Sequence, residues 1–186
     1  MPNAILDPTG QARRTSGGGS FTLAPRRDGL AGARVGLLVN TKRNADLFLA
    51  EVGRLLREEH GAASVTARTK LAFAQPVPED MLKELVSDCD VVVTGVGDCG
   101  SCSASAVTDG IMLESRGVPA AVICSDAFGA SADAIASLRG VPGYQYLTTR
   151  HPVAVLTPDE VRDRARQLLS GVVSLLAAGE AGAADG

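Results

Sequence analysis

Cys99 and Cys102 form a Cys-x-x-Cys pair, the feature of this sequence with the clearest chemical potential. An apolar run at 91–94 and a glycine-rich stretch precede the pair, and a helical pattern follows it, which places the pair between a buried strand and a helix. A cysteine at a helix N-terminus meets unpaired N–H groups and the positive end of the helix dipole, and both favour the thiolate. Cys102, three residues on, can close a disulfide with Cys99. The pair is therefore predicted to be nucleophilic or redox-active.

The same spacing also occurs in zinc sites and in inert buried pairs. Structural zinc normally takes four ligands, and the sequence has no second Cys-x-x-Cys. Cys124 and His151 could still complete a set with Cys99 and Cys102. We favour catalysis without a required cofactor, served by an external thiol reductant, and keep zinc as the alternative.

Other polar residues follow the predicted strands and are expected beside the pair. His151 suits an acid/base role, and Asp98 either moves a proton or caps the helix. Lys42 and Arg43 hold a substrate carboxylate, favour a nearby thiolate, or form a solvated basic loop. Cys124 is either a substrate contact or a small core residue. The predicted substrate-binding residues are Lys42, Asn40, Thr41, Asn44, Gly100, Ser101, Ser103, Cys124 and Ser125.

These residues need a scaffold, and the hydrophobic pattern supplies one by alternating short apolar runs with helical spacing. Such alternation predicts one three-layer α/β domain, a five-stranded parallel sheet in the flavodoxin-like order 2-1-3-4-5 with helices on both faces. In sheets of this kind, function collects at the carboxyl ends of the strands. Strands are expected at 35–39, 64–69, 91–94, 119–124 and 144–147, and helices at 45–59, 79–87, 103–116, 125–138 and 157–178.

The chain divides into three parts by composition. Residues 1–32 are rich in turn signals and are expected to form an irregular arm, which lies over the domain, reaches a neighbouring subunit of a homo-oligomer, or is a mobile tail. Residues 33–178 form the predicted dithiol domain, and residues 179–186 a flexible tail.

The composition of the chain limits the classes of partner that we expect. The formal net charge is −3, aromatic residues make up only 3% of the chain, and no basic stripe is present, so we expect no nucleic acid partner. No apolar run reaches the roughly 18 residues of a membrane span, and no signal-peptide core is visible, so we expect a cytoplasmic protein that does not bind membranes. The stretch 95–100 fits Gly-x-Gly-x-x-Gly, but cysteine inside the loop argues against a nucleotide.

The motif Asp98-Cys99-Gly100-Ser101-Cys102 resembles the hallmark of the UGSC family, in some members of which selenocysteine replaces the first cysteine. Other stretches agree with that family across most of the chain: Ile5–Gly10, Leu23–Arg26, Val35–Leu38, Lys42, Asn44–Asp46 and His151-Pro152. The sequence departs from the family pattern at Val39, at Arg43 and at 153–155, so we expect substrate contacts there to differ.

The resemblance implies a redox or nucleophilic role for Cys99, and it extends distantly to the selenocysteine subunits of glycine and proline reductases. A reductase that acts on a small metabolite is the first hypothesis, with Cys99 attacking and Cys102 resolving. The second is redox-neutral covalent catalysis (a lyase, hydrolase or transferase), with His151 or Asp98 moving protons. The third is a non-enzymatic metal-binding or accessory subunit of a larger complex.

Overall fold

A computed structural model describes residues 21–178; residues 1–20 of the predicted arm and the predicted tail 179–186 lie outside this range. Five parallel strands form one sheet in the order β2-β1-β3-β4-β5. This confirms the predicted fold class and strand order. The elements are β1 (Arg34–Val39), α1 (Ala45–His60), β2 (Ser64–Thr69), α2 (Glu79–Asp88), β3 (Val91–Gly97), α3 (Gly100–Glu114), β4 (Ala120–Ser125), α4 (Gly129–Leu138), β5 (Leu147–Thr149) and α5 (Pro158–Leu176).

Apolar side chains cover both faces of the sheet, as expected for parallel strands. On one face, α1 and α5 pack on alternate residues of β1, β3 and β4, with Phe48 and Leu176 fully buried. On the other face, α2, α3 and α4 pack on the intervening residues, such as Val92 and Val122. The helices after β1 and β3 therefore leave the sheet toward opposite faces, which opens a crevice at the carboxyl ends of these neighbouring strands.

Four elements begin or end at least three residues away from the predicted position. β3 continues through 95–97 instead of ending at Thr94, so α3 starts at Gly100 rather than at 103. β5 comprises Leu147–Thr149 rather than 144–147, although Tyr144 is buried as a core residue. A 3₁₀ turn (Asp126–Phe128) precedes α4, and Ser125 makes no capping hydrogen bond with its side chain. The first difference matters most, because it makes Cys99 the N-cap of α3.

The described part of the N-terminal segment lies against the domain. The buried Glu114 carboxylate accepts hydrogen bonds from the Ala24 amide (2.7 Å) and from both terminal nitrogens of Arg26 (2.9 Å each). Arg27 forms a β-bridge with Ala177 beyond the end of α5. None of the helices between residues 21 and 178 combines the length and apolar character needed to cross a bilayer.

Candidate active site at the carboxyl edge of the sheet

Cys99 and Cys102 form a disulfide at the start of α3, with their Cα atoms 5.2 Å apart. Cys99 is the N-cap residue, and its Sγ accepts a hydrogen bond from the Cys102 backbone N–H at 3.3 Å. The Ser101 hydroxyl lies 3.5 Å from the same sulfur. Cys99 is half-buried, whereas Cys102 is fully buried. Cys102 is therefore closed to an incoming molecule, and Cys99 is the more accessible residue of the pair.

The carboxylate of Asp98 organises the loop that follows β5. It accepts hydrogen bonds from the backbone N–H groups of Val153 (3.0 Å) and Ala154 (2.9 Å) and contacts His151 Nδ1 at 3.0 Å. The Asp98 side chain is only 4% exposed. Although it precedes α3, it does not cap that helix, because Cys99 does. The contact with His151 instead fits its other predicted role, in proton transfer.

The contacts of His151 define which of its ring nitrogens is free. Ser125 donates its hydroxyl hydrogen to the Gly97 carbonyl at 3.1 Å and can only accept from His151 Nδ1, 3.3 Å away. An ionised Asp98 also only accepts, so the hydrogen belongs on Nδ1. This assignment leaves Nε2 able to accept a proton, and no residue within 21–178 forms a hydrogen bond to it. The side chain is 37% exposed, as an acid/base group requires.

Asp126 and Phe128 contact His151, and the sequence analysis did not identify either of them as a site residue. The Asp126 carboxylate accepts a hydrogen bond from the His151 backbone N–H at 2.9 Å. The Phe128 ring meets the imidazole edge-on, with ring centroids 5.2 Å apart. Asp126 was not among the predicted site residues. Its position directly after predicted substrate-binding Ser125 was the one available signal.

Two asparagines of the loop after β1 tie the site together. Asn44 donates both amide hydrogens to the carbonyls of Val153 (2.9 Å) and Leu156 (3.0 Å). The loop after β5 therefore reaches the start of α1. Asn40 donates to the Val96 carbonyl at 2.9 Å and accepts from the Lys42 backbone N–H at 3.1 Å. Both side chains therefore position the loops of the site, and their contact with a substrate stays a prediction.

Three other predicted substrate-binding residues are fully buried behind the site: Ser103, Cys124 and Ser125. Ser103 donates to the Gly97 carbonyl at 3.1 Å. Cys124 packs in the apolar cluster under α3 and α4, and burial raises the pKa of its thiol to about 12. This geometry corresponds to the alternative considered for Cys124, a small core residue. Their expected contact with substrate is therefore corrected: in this structure the three side chains support the site from beneath.

The remaining predicted contacts line the rim. Thr41, Arg43 and Ser101 are exposed, and Gly100 and Lys42 are half-buried. The Lys42 ammonium lies 5.0 Å from the centre of the Phe73 ring, a cation–π contact from the loop after β2. The sequence analysis did not select Phe73, because no local pattern relates it to Lys42.

The alternative zinc set is not assembled. Across residues 21–178, no three His, Cys, Asp or Glu side chains are placed to bind one metal ion. Cys99 and Cys102 bond to each other, and Cys124 faces the core. The grouping that the fold produces is a thiol pair beside a histidine–carboxylate pair.

Comparison with known proteins agrees with the sequence motif. The model of the UGSC family matches residues 4–178. No curated protein matches the chain significantly. Similar solved structures include the flavodoxin-like domain of a Synechococcus sp. protein, 15% identical over 75% of this chain and 93% of that one, with a TM-score of 0.37. A diflavin flavoprotein A3 from Nostoc sp. is 17% identical over 76% and 94%, with a TM-score of 0.38.

Proposed function

The chain belongs to the UGSC family, and from this membership we propose that it is a cysteine-dependent enzyme acting on a small metabolite. Cys99 is the nucleophile and Cys102 the resolving thiol. The observation that carries the proposal is the unequal burial of the two cysteines at the N-terminus of α3, with Cys99 half-buried and Cys102 fully buried.

Backbone and side-chain donors at the start of α3 can stabilise the Cys99 thiolate. Its sulfur occupies the N-cap position and accepts the Cys102 N–H at 3.3 Å, so part of the negative charge is met by a backbone donor. The Ser101 hydroxyl at 3.5 Å can add a second donor. Helix N-terminal cysteines of this kind react as thiolates near neutral pH.

In the reductive reaction, the Cys99 thiolate attacks an electrophilic atom of the substrate, forms a bond to sulfur and expels the leaving group. Cys102 then attacks Cys99 Sγ, and the bond between sulfur and substrate breaks. The thiol proton of Cys102 is taken up by His151 Nε2 during this attack, and His151 then passes it to the released fragment. Two thiols have become one disulfide, and the substrate has gained two electrons. An external thiol reductant returns the pair to its reduced form.

Redox-neutral covalent catalysis is the second candidate, and the contact between His151 and Asp98 favours it. The carboxylate holds the imidazole with the hydrogen on Nδ1 and would stabilise an imidazolium, as in cysteine and serine hydrolases. In this reaction Cys99 adds to a carbonyl, nitrile or activated carbon, and His151 moves the protons. Cys102 would then be dispensable.

One experiment separates the two candidates. The reduced protein, Cys102→Ser and Cys99→Ser are each exposed to a panel of small metabolites and analysed by intact-protein mass spectrometry. A reductase leaves a stable adduct on Cys99 in Cys102→Ser and stops after one turnover, whereas Cys99→Ser forms none. Because Cys102 is fully buried, Cys102→Ala serves as a second variant that places no hydroxyl in its pocket. Full multiple turnover by both Cys102 variants without added thiol would reject the reductive mechanism.

A further inference from the structure

Three cationic side chains at the carboxyl edge of the sheet have no ion-pair partner among the described residues. Lys42 and Arg43 follow β1, Arg150 follows β5, and no carboxylate within residues 21–178 forms an ion pair with any of the three. The two acidic side chains of the site are already occupied. Asp98 accepts from the loop after β5, and Asp126 accepts from the His151 backbone.

Lys42 differs from an ordinary surface lysine because both of its ends are held. Its backbone N–H donates to Asn40, whose amide in turn donates to the Val96 carbonyl. Lys42 is thereby fixed beside the end of β3, and Val96 precedes Cys99 by three residues. At the other end, the ammonium rests 5.0 Å from the Phe73 ring centre. A half-buried lysine without a counter-ion among residues 21–178 therefore stands at the carboxyl end of β1, the strand beside β3.

The loop that presents Phe73 is anchored by a buried ion pair. Lys70, whose side chain is 3% exposed, bonds the fully buried Asp109 carboxylate at 2.5 Å. The same ammonium donates to Ser105 (2.8 Å) and to the Gln75 carbonyl (2.9 Å), so all three of its hydrogens are used. The second oxygen of Asp109 accepts the Val77 N–H at 2.7 Å. Both ends of the segment 70–77 are therefore fixed to α3.

The anchoring of this loop connects Lys42 to Cys99 through helix α3. Ser105 and Asp109 belong to α3, the helix that Cys99 caps. One helix therefore carries the proposed nucleophile at its N-terminus and, about two to three turns later, the anchor of the loop that supports Lys42. The support of Lys42 is rigid because a buried pair with all its hydrogen bonds made loses them if the loop moves.

We infer that the substrate of Cys99 is anionic, a small molecule with a carboxylate or an equivalent negative group, and that Lys42 binds this charge. The inference rests on the proposed function, since it names the substrate class of the same site. It adds a binding role for the pair formed by Lys42 and Phe73, and a positioning role for Lys70.

Two alkylating reagents of similar size test this inference directly. Iodoacetate and iodoacetamide both undergo attack by a thiolate at the methylene carbon, with a carbon–sulfur bond formed and iodide released. They differ in that iodoacetate carries a carboxylate. The rate of Cys99 modification by each is measured by peptide mass spectrometry in the reduced wild type, Lys42→Met and Lys83→Met. Lys83 is the matched control, an exposed lysine on α2.

Lys42→Met is expected to lower the ratio of the iodoacetate rate to the iodoacetamide rate about three- to fivefold, the effect of losing one partly exposed charge pair. Lys83→Met and Lys42→Arg should keep the wild-type ratio. The wild-type preference should shrink as ionic strength rises from about 0.01 M to about 1 M, which cuts the screening length from about 30 Å to about 3 Å.

Two results would overturn the inference, and only the second would also overturn the proposed function. If Cys99 reacts rapidly with both reagents and Lys42→Met leaves the ratio unchanged, the substrate is not selected by charge at Lys42, and the proposed function stands. If Cys99 reacts with both reagents no faster than the buried Cys89, it is not an activated nucleophile, and the proposed function falls together with the substrate class.

Discussion

The ends of β3 and β4 lie side by side, and each carries a cysteine with a different character. Gly97 of β3 pairs with Cys124 of β4, and Cys99 follows two residues later. Cys99 has left the sheet, is half-buried and caps α3, whereas Cys124 is still in the strand and fully buried. Burial raises the pKa of the Cys124 thiol to about 12. The difference in reactivity that we propose between the two thiols follows from whether the chain has left the sheet at each of them.

Gly97 allows the two ends to lie this close. A methyl group at Gly97 would come within 2.7 Å of Ser103 Cα and 2.8 Å of Cys124 Sγ. The start of α3 therefore packs closely against the Cys124 thiol, and only the hydrogen side chain of Gly97 fits between them. The buried Cys124 is therefore part of the packing beneath the start of α3, the helix that Cys99 caps.

Among the variants considered, Asp98→Asn should lower the free energy of unfolding most. It changes the end of β3 and leaves the end of β4 as it is. An amide cannot accept from three N–H donors with both of its polar atoms, and a buried donor is left facing the new NH₂ group. We expect a loss of about 2–4 kcal/mol in the free energy of unfolding. Urea denaturation measures it.

Asp133→Asn is the matched control, since Asp133 makes only an exposed bond to Tyr146. That variant should lose less than about 1 kcal/mol. Equal losses for Asp98→Asn and Asp133→Asn would show that Asp98 does not hold the loop after β5.

A pair of glycine variants tests how closely the two strand ends must approach. Gly97→Ala should destabilise the protein by about 1–3 kcal/mol, because the new methyl group meets backbone as well as side-chain atoms. Gly100→Ala should be close to neutral, since its methyl group meets only the Ser131 hydroxyl at 3.2 Å and the position is helical. Thermal unfolding of both proteins is the measurement, and a Gly100 variant as damaged as the Gly97 variant would contradict this packing.

The smallest effect concerns alkaline pH. The pKa of Cys124 is raised in the folded protein above the ordinary value of 9.0, so its contribution to stability is complete below about pH 9 and is lost as pH rises toward 12. The slope for one such group is at most about 1.4 kcal/mol per pH unit. Cys124→Ala should therefore show a shallower loss of stability between pH 9 and pH 11 than the wild type, as followed by urea denaturation.

Cys89 and Tyr146 also have raised pKa values, so part of the slope should persist in Cys124→Ala. Cys89→Ala, in which a second buried thiol is removed far from the site, provides the comparison. A Cys124→Ala protein whose stability falls as steeply as that of the wild type would mean that Cys124 is not the enclosed thiol described above.

The sequence predicted what depends on local pattern. The alternation of strands and helices and the boundaries of α1 and β2 follow from apolar periodicity, and the position of Cys99 near a helix start follows from the motif. The strand order was predicted from the flavodoxin-like plan, which suits five alternating strands. The end of β3 was misjudged because Gly95-Val96-Gly97 has the composition of a loop. In the sheet these residues lie between β1 and β4: Gly95 and Gly97 pair with residues of these strands, and the Val96 carbonyl accepts from Asn40.

The contacts that the sequence could not supply are those between loops. Asp126 holds His151 across 25 residues, and Asn44 holds the Val153 carbonyl across 109. Phe73 supports Lys42 from a third loop. Each of these depends on the three-dimensional arrangement of strand ends, which no spacing in the chain encodes.

The account rests on Cys99 being a thiolate near neutral pH while Cys124 is not. The direct test is the rate of iodoacetamide modification of each cysteine in the fully reduced protein from pH 5 to pH 10, read by peptide mass spectrometry. With a pKa of about 12, Cys124 has about one thiolate in 10⁵ molecules at pH 7, so Cys99 should react at least about a thousandfold faster there. The Cys99 rate should also stop rising before the pH reaches 8, because the thiol is by then fully ionised. Rates for Cys99 and Cys124 that rise in parallel and stay within tenfold of each other would contradict the account.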